Sequence, residues 1–318
     1  MPHDPQGAPR IPRVLSIAGS DSGGGAGIQA DLKAFAACGV HGMTAVTAIT
    51  AQNTVGVEAV HAVPPEHILA QVRAVTSDIG VDAVKIGMLG DLATIQAVSQ
   101  ALDLLPASTP VVLDPVLVAE SGAELLEPSA RTGLIELMLP RATVATPNLP
   151  EARALLAAAQ RLPGSRDPSA ASRDPSAGSR DPSAADRDAS PDQLARAIQA
   201  LGPRVVVLTG GHRPEPADLF YDGEQLIEIP GERHPDGAAH GSGCTHSAVL
   251  AARLAWGDDA LTAARTAKQL ASRAVRDGLR GVGAGAGPVD VIGLRTLSQD
   301  GAGVIAGASS PSGTSPAL

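Results

Sequence analysis

An α/β fold, a three-layer α/β/α arrangement with a central, mostly parallel sheet, is predicted by three observations. Short apolar runs alternate with amphipathic segments; proline, Asp or Asn stands where most helical segments should begin; and only one pair of runs is joined tightly enough to be antiparallel. Strands that alternate with helices in sequence pair in parallel and are covered on both faces. In chain order, residues 13–18 read as a short buried strand, 27–38 as a helix and 42–50, rich in β-branched residues, as a strand. Pro65 opens a helix to about 77, and 82–87 is the next strand. Asp91 caps a helix to about 104, and 110–115 is a strand that Pro115 ends. Residues 128–139 are helical, 143–146 form a short strand, and Asn148 caps a helix that starts Leu149-Pro150-Glu151. A helix resumes at Pro191-Asp192 and a strand at 204–209. Asp222-Gly223, between alternating segments at 218–229, marks a hairpin.

The 318 residues suffice for one large α/β domain or two smaller ones. Ser165 to Ala171 recurs as 172–178 and 179–185, at a period of seven with a proline in each copy and no large apolar residue. No coiled-coil seam fits such a repeat, so it reads as a linker. Because the α/β pattern resumes after it, the expectation is a single domain over 12–298, interrupted by a low-complexity segment at 163–191, with disordered tails at 1–11 and 299–318.

Composition narrows the function classes. The aromatic residues are Phe35, Phe220, Tyr221 and Trp256, which offer no stacking platform for single-stranded nucleic acid. A net charge of -9 argues against a polyanionic partner, and the lysines are only three: Lys33, Lys85 and Lys268. No run of about eighteen apolar residues exists to cross a membrane. Met1-Pro2-His3-Asp4-Pro5 lacks the features of a signal peptide, so a cytoplasmic location is expected. Cys38 and Cys244 are expected as free thiols.

The chemistry concentrates in a few stretches. Gly241-Ser242-Gly243-Cys244 leads into a helical segment that ends at Gly257. A helix's first turn carries unpartnered N–H groups and the positive end of its dipole, so small residues there would let an anion, a phosphate first of all, reach the backbone. Cys244 lies in the same turn, where that field is expected to favour a thiolate. A Cys–His pair with His240 or His246 is a competitor, weakened because His246 is two residues on and points to another helix face. Metal binding by His240, Cys244 and His246 has no recognised ligand spacing.

Residues 19–27 hold five glycines between a strand and a helix. Gly25 to Ala30 satisfies G-x-G-x-x-A, yet no Asp or Glu occurs from 32 to 57 to hold a ribose, and no lysine follows a glycine as a Walker A loop needs. What remains is a polar glycine cradle with Asp21 and Asp31. Gln52 and Asn53, at a strand end, suit a heteroaromatic ring edge or an Asn turn. Asp114, Asn148 and Glu151 are oxygen ligands at sheet ends, compatible with Mg²⁺, although Asn148 and Glu151 equally form a capping box.

Seven stretches in order resemble one family, the hydroxymethylpyrimidine and phosphomethylpyrimidine kinases of thiamine biosynthesis, within the ribokinase-like superfamily. They are 18–31, Thr50-Ala51-Gln52-Asn53-Thr54, Lys85-Ile86-Gly87-Met88, Asp114-Pro115-Val116, 146–152, Gly210-Gly211-His212 and Gly241-Ser242-Gly243-Cys244-Thr245. The resemblance implies a ribokinase-like fold and two ATP-dependent phosphoryl transfers. The first goes to the hydroxymethyl group of 4-amino-5-hydroxymethyl-2-methylpyrimidine, the second to the resulting monophosphate. It implies that Gly19, Asp31, Gln52 and Met88 line the pyrimidine pocket, and that Asp114, Asn148, Glu151, Thr209 and Gly211 serve the nucleotide and phosphates, with Asp114 and Glu151 around Mg²⁺. The backbone of 241–244 would form the anion hole, and Cys244 would stand where related sugar kinases carry an aspartate base. Family members are often dimers, which makes a homodimer an expectation from resemblance alone. Thr209 departs from the lysine usual before Gly-Gly-His, and the 163–191 segment is foreign to the pattern. Pyridoxine or pyridoxal kinase, and a non-catalytic pyrimidine-binding member, are the alternatives.

Overall fold

Strand β1 (Arg13–Asp21) lies in the interior of the sheet because both its faces are buried, and the sheet grows to either side of it. A computed structural model describes residues 10–118, 122, 125–162, 189–211 and 216–299. The expectations for residues 1–9, 163–188 and 300–318, and for His212, lie outside those residues. The other strands are β2 (His41–Gln52), β3 (Val57–Ala62), β4 (Ala83–Ile86), β5 (Val111–Leu113), β6 (Val144–Ala145), β7 (Val205–Leu208), β8 (Asp218–Tyr221) and β9 (Leu226–Ile229). The helices are α1 (Gly27–Ala37), α2 (Pro65–Asp78), α3 (Leu92–Leu102), α4 (Leu149–Ala159), α5 (Pro191–Gln199), α6 (Ser242–Ala255), α7 (Ala260–Arg276) and α8 (Leu294–Gln299).

The strands form one sheet in the order β3-β2-β1-β4-β5-β6-β7-β8-β9. From β2 to β7 in that order every pairing is parallel, while β3 pairs antiparallel with β2 and the β8–β9 hairpin continues antiparallel from β7. Strand residues alternate between two cores, as a pleat requires. Leu15, Ile17, Val84, Ile86, Leu113, Val206 and Leu208 pack with α2, α3, α4 and α5. Val14, Ala83, Val112, Val205 and Val207 pack on the opposite face with α1, α6 and α7. Three layers result, as the alternation of runs predicts. No helix among the described residues is long and apolar enough to cross a membrane.

Two features go beyond what the sequence pattern predicts. The predicted helix at 128–139 is instead a broken helical stretch: 3₁₀ at Pro128–Ala130, α at Arg131–Gly133, a widened turn at Leu134–Met138 and 3₁₀ again at Leu139–Arg141. Pro140 has no N–H, which removes the i+4 donor that Glu136 would use. Strand β3 escaped the sequence reading because nothing on it is fully buried, so burial leaves no hydrophobic pattern to detect.

The topology also locates the site. From β1 the chain goes to β2 and β3 on one side, then returns to build β4 to β9 on the other. Strand order reverses between β1 and β4, and ligands of open α/β sheets bind at the carboxyl ends beside such a switch.

Candidate active site

A cavity of about 870 Å³ opens at those carboxyl ends. It draws Gly19 and Asp21 from β1, Gln52 from β2, and Met88, Asp114 and Asn148 from the turns after β4, β5 and β6. Thr209 and Gly211 follow β7, and 240–244 lead into α6. Stretches far apart in sequence meet here because each ends a parallel strand or begins the helix that follows it.

The glycine cradle is organised by one carboxylate. Asp21 accepts from the N–H groups of Gly23 (2.8 Å), Gly25 (3.0 Å) and Ala26 (2.8 Å), and His240 Nε2 lies 3.0 Å from its Oδ2. Burial raises the Asp21 pKa, but the His240 contact and these N–H groups outweigh it and hold the carboxyl below its ordinary value. Gly27, at φ +56, begins α1 so close to β1 that a Cβ would lie 2.4 Å from the Gly19 carbonyl. A Cβ on Gly19 would lie 2.8 Å from Met88 Cε, so the missing side chain is what lets Met88 lie against the cradle. Gln52 is on the cavity wall, its backbone pinned by Ser22: the Gln52 N–H donates to Ser22 Oγ at 2.8 Å and that hydroxyl donates to the Gln52 carbonyl at 2.6 Å. The two amides therefore split roles. Asn53 is an Asn turn, its Oδ1 accepting from the N–H groups of Val55 and Gly56.

Asp31 is not where the resemblance puts it. It is sealed beneath the cradle at 0% exposure, accepting from Ser16 Oγ at 2.6 Å and lying 2.9 Å from the equally buried Lys85 ammonium. A buried cation demands a buried anion, and Asp31 is spent on Lys85. It is Lys85, from β4, that reaches the cavity wall. Desolvation would lower the Lys85 pKa, but Asp31, with Cys244 and Asp114 nearby, raises it above its ordinary value.

Gly241 is the N-cap of α6 in the left-handed conformation, at φ +82, with no side chain capping the first turn. The Ser242 N–H is committed to the Ala239 carbonyl at 2.9 Å, and Thr245 makes the first bond back to Gly241. Of the 241–244 amides the Ser242 N–H is thus committed within the loop, and those of Gly243 and Cys244 are the first-turn amides left, with Gly241 at the cap, to meet an anion. The surroundings of Cys244 work against the expected thiolate. Burial raises its thiol, Lys85 opposes this, the carboxylates Asp31 and Asp114 raise it further and the Gly27 N–H lowers it, with the balance at about 12. Alkylation of Cys244 by iodoacetamide is accordingly expected to show no titration step between about pH 6 and 9; a step near neutrality, absent from Cys244→Ala, would restore the thiolate. Neither histidine pairs with the thiol. His240 faces Asp21, and His246, which the helical spacing turns away from Cys244, lies 3.0 Å from Asp218.

Asn148 and Glu151 do both things the sequence allows. The Glu151 N–H donates to Asn148 Oδ1 and the Asn148 N–H to Glu151 Oε2, each at 2.9 Å, a complete capping box whose members also stand on the cavity wall. Burial first, and the neighbouring Asp114 second, push Glu151 up to about 8. Burial likewise raises Asp114 in spite of Lys85 and of Ser247 Oγ, which donates to its Oδ2 at 2.9 Å. Two carboxyls that resist ionising together are a donor pair suited to a divalent cation. No cluster of three or more His, Cys, Asp or Glu side chains occurs among the described residues, and around this carboxylate pair water and phosphate oxygens would fill the remaining positions of a Mg²⁺ shell.

One group escaped the sequence reading. Asp218, at the start of β8, accepts from the Gly210 N–H at 2.8 Å and from Lys268 Nζ at 2.7 Å, beside His246. Burial opposes its ionisation, yet His246 and Lys268 hold it at about 2. Lys268, on α7, thereby reaches the cavity next to Thr209 and Gly211. The scarcity of lysine was the available signal: Lys85 and Lys268 line the cavity, and Lys33 donates to the Gly24 carbonyl of the cradle at 2.7 Å.

Residues 21–173 and 181–290 match the family described as phosphomethylpyrimidine kinase. The hydroxymethylpyrimidine/phosphomethylpyrimidine kinase of Rhizobium meliloti (strain 1021) is 44% identical over 279 residues, covering 87% of this chain and 95% of that protein. The protein of that name from Bacillus subtilis (strain 168) is 38% identical, covering 88% and 94%. Among solved structures, the pyridoxal kinase of Staphylococcus aureus in complex with ADP is similar at a TM-score of 0.72 and 32% identity, covering 89% of this chain and 94% of its own. The phosphomethylpyrimidine kinase of Clostridium difficile 630 is similar at a TM-score of 0.63 and 35% identity, covering 82% and 97%.

Proposed function

The chain belongs to the phosphomethylpyrimidine kinase family, and we propose that its cavity performs two successive ATP-dependent phosphoryl transfers of thiamine biosynthesis. The acceptors are 4-amino-5-hydroxymethyl-2-methylpyrimidine and then its monophosphate. The observation that carries this reading is that the uncapped N-terminus of α6 opens onto the same cavity as Gln52 and Asp114. A ring-edge reader and an anion hole thus face one space.

In this reading Gly19, Gln52 and Met88 hold the pyrimidine, with the Gln52 amide donating to and accepting from the ring edge. The Gly243 and Cys244 amides stabilise charge on the transferred group, and Lys85 adds a fixed positive charge beneath them. Asp114 and Glu151 would hold Mg²⁺, which when bound neutralises phosphate charge. Asn148 fixes the Glu151 carboxylate, while Thr209, Gly211 and Lys268 face the nucleotide. Phosphoryl transfer asks mainly for positioning and electrostatics, and these residues supply both. Residues 12–298 act as one domain into which 163–191 is inserted; β6 and β7, which flank that segment, are sheet neighbours. Cytoplasmic residence rests on composition, and a homodimer on the family resemblance.

The test is ADP release coupled to each pyrimidine acceptor, with pyridoxal for comparison. Turnover with both pyrimidines, a diphosphate product and a higher kcat/KM than with pyridoxal are expected. Saturable pyrimidine binding without ADP release would identify a non-catalytic member. With the thiol pKa raised to about 12, the backbone amide is the working part of residue 244 in this reading, and Cys244→Ala is expected to keep kcat within about tenfold. A loss of about 10² or more would return the residue to the base role.

A further inference from the structure

We propose that His240 is a positioning residue for phosphoryl transfer, holding the glycine cradle and the α6 anion loop in fixed register through Asp21. The two loops lie against one another with no room for side chains. A Cβ on Gly25 would lie 2.1 Å from the His240 ring, and a Cβ on Gly241 would lie 1.8 Å from the Gly25 carbonyl. Across this seam the polar link between side chains is the 3.0 Å contact of His240 Nε2 with Asp21 Oδ2.

Which loop holds the other follows from the backbone. His240 is fixed from behind: its N–H donates to the Gly287 carbonyl at 3.2 Å and its carbonyl accepts from Val289 at 3.1 Å. That supporting segment is anchored in turn, since the Gly285 N–H donates to Thr54 Oγ1 at 3.2 Å. The cradle is tied at its rim by Ser22 to the Gln52 backbone and by Lys33 to the Gly24 carbonyl, but its central amides at 23, 25 and 26 turn on the Asp21 carboxylate, with Gly24 at φ +75. His240 therefore orients Asp21, and Asp21 orients three cradle amides. An acceptor hydroxyl resting on the cradle and a phosphoryl group resting on the Gly243 and Cys244 amides are brought together only if this seam stays closed. A displacement of about 1 Å between reacting groups costs on the order of 10²-fold in rate.

The inference rests on the kinase reading, and the experiment separates the two: a wild-type chain without ADP release sinks that reading, whereas variant kinetics address His240. Asparagine and glutamine at 240 both keep a carboxamide, but only the longer side chain reaches Asp21. His240→Asn is expected to lower kcat about 100-fold, with KM for the pyrimidine within about threefold of wild type, and His240→Gln to recover to within about tenfold. In an Asp21→Ala background, which has already lost the link, His240→Asn is expected to cost less than about twofold. Equal kcat for the Asn and Gln variants overturns the proposal. So does a rise in KM with kcat kept, or an undiminished cost in the Asp21→Ala background. Should His240→Asn not fold, the Gln variant decides alone: kcat more than about tenfold below wild type at unchanged melting temperature counts against the link.

Discussion

Gly241→Ala is expected to leave almost no kinase activity and to lower the melting temperature by several degrees. The residue sits at φ +82, where an L side chain costs about 1–2 kcal/mol, and its Cβ would stand 1.8 Å from the Gly25 carbonyl. Neither atom can yield easily, because Gly25 is held by Asp21 and Gly241 caps α6. Relief must come from rotating the first turn of α6 or pushing the cradle away, and either separates the amides at 243 and 244 from the acceptor. Losing one donor of an oxyanion-type hole costs about 10²–10³ in kcat, and this change disturbs the whole turn. Gly243→Ala is the comparison for stability: a Cβ there meets nothing within 4 Å, so the melting temperature should hold or rise. If the two alanine variants melted alike, the steric argument at 241 would fail. Steady-state kcat and a thermal melt on each variant decide it.

Glu151→Gln is expected to do opposite things to stability and to activity, with a pH dependence of definite sign. Burial and Asp114 raise the folded-state pKa of Glu151 to about 8 from 4.5. A carboxyl raised by folding is comfortable when protonated, so the fold loses stability as pH climbs from about 4.5 through 8, where ionisation in place is uphill. Glutamine keeps the carbonyl that accepts from the Asn148 N–H and cannot ionise. The ligand-free variant should therefore match wild type near pH 5 and melt about 3–6 °C above it at pH 8, equivalent to about 1–2 kcal/mol. Kinase activity should fall by at least about tenfold over the same range, because the charge that strains the empty site is the one a cation and phosphates need. A melting advantage largest at pH 5 would invert the linkage and refute it.

The fold was legible because burial writes itself into sequence. The parallel strands buried on both faces and the Asp222-Gly223 hairpin follow from apolar runs and turn chemistry. Strand β3 does not, since its residues bury nothing, and neither does the broken stretch at 128–141, where one proline redirects a good helical pattern. Site residues divide along similar lines. Gly19, Gln52, Met88, Asp114, Asn148, Glu151, Thr209 and Gly211 reach the cavity wall because each lies at a strand end, or begins a helix, in a sheet of known direction. Asp31 and the thiol of Cys244 were misjudged because burial decides both: Asp31 is closed over by Lys85 from a distant strand, while burial with Asp31 and Asp114 raises the Cys244 thiol against the pull of Lys85, and spacing along the sequence does not reveal depth. Asp218, Lys268 and the His240–Asp21 link are long-range pairings with no local pattern at all.

The distribution of lysine has a practical side. With three lysines against 21 arginines, the positive charge of the outer surface is nearly all guanidinium. Lys85 borders the cavity but exposes no surface to solvent, and the two remaining ε-amines sit at the cradle and at the cavity wall. Beyond the chain's α-amino group, amine-directed cross-linkers and resin-coupling chemistries that decorate most proteins harmlessly would here converge on the working face. Attachment through carboxyls or an added tag is the route that leaves the cavity open.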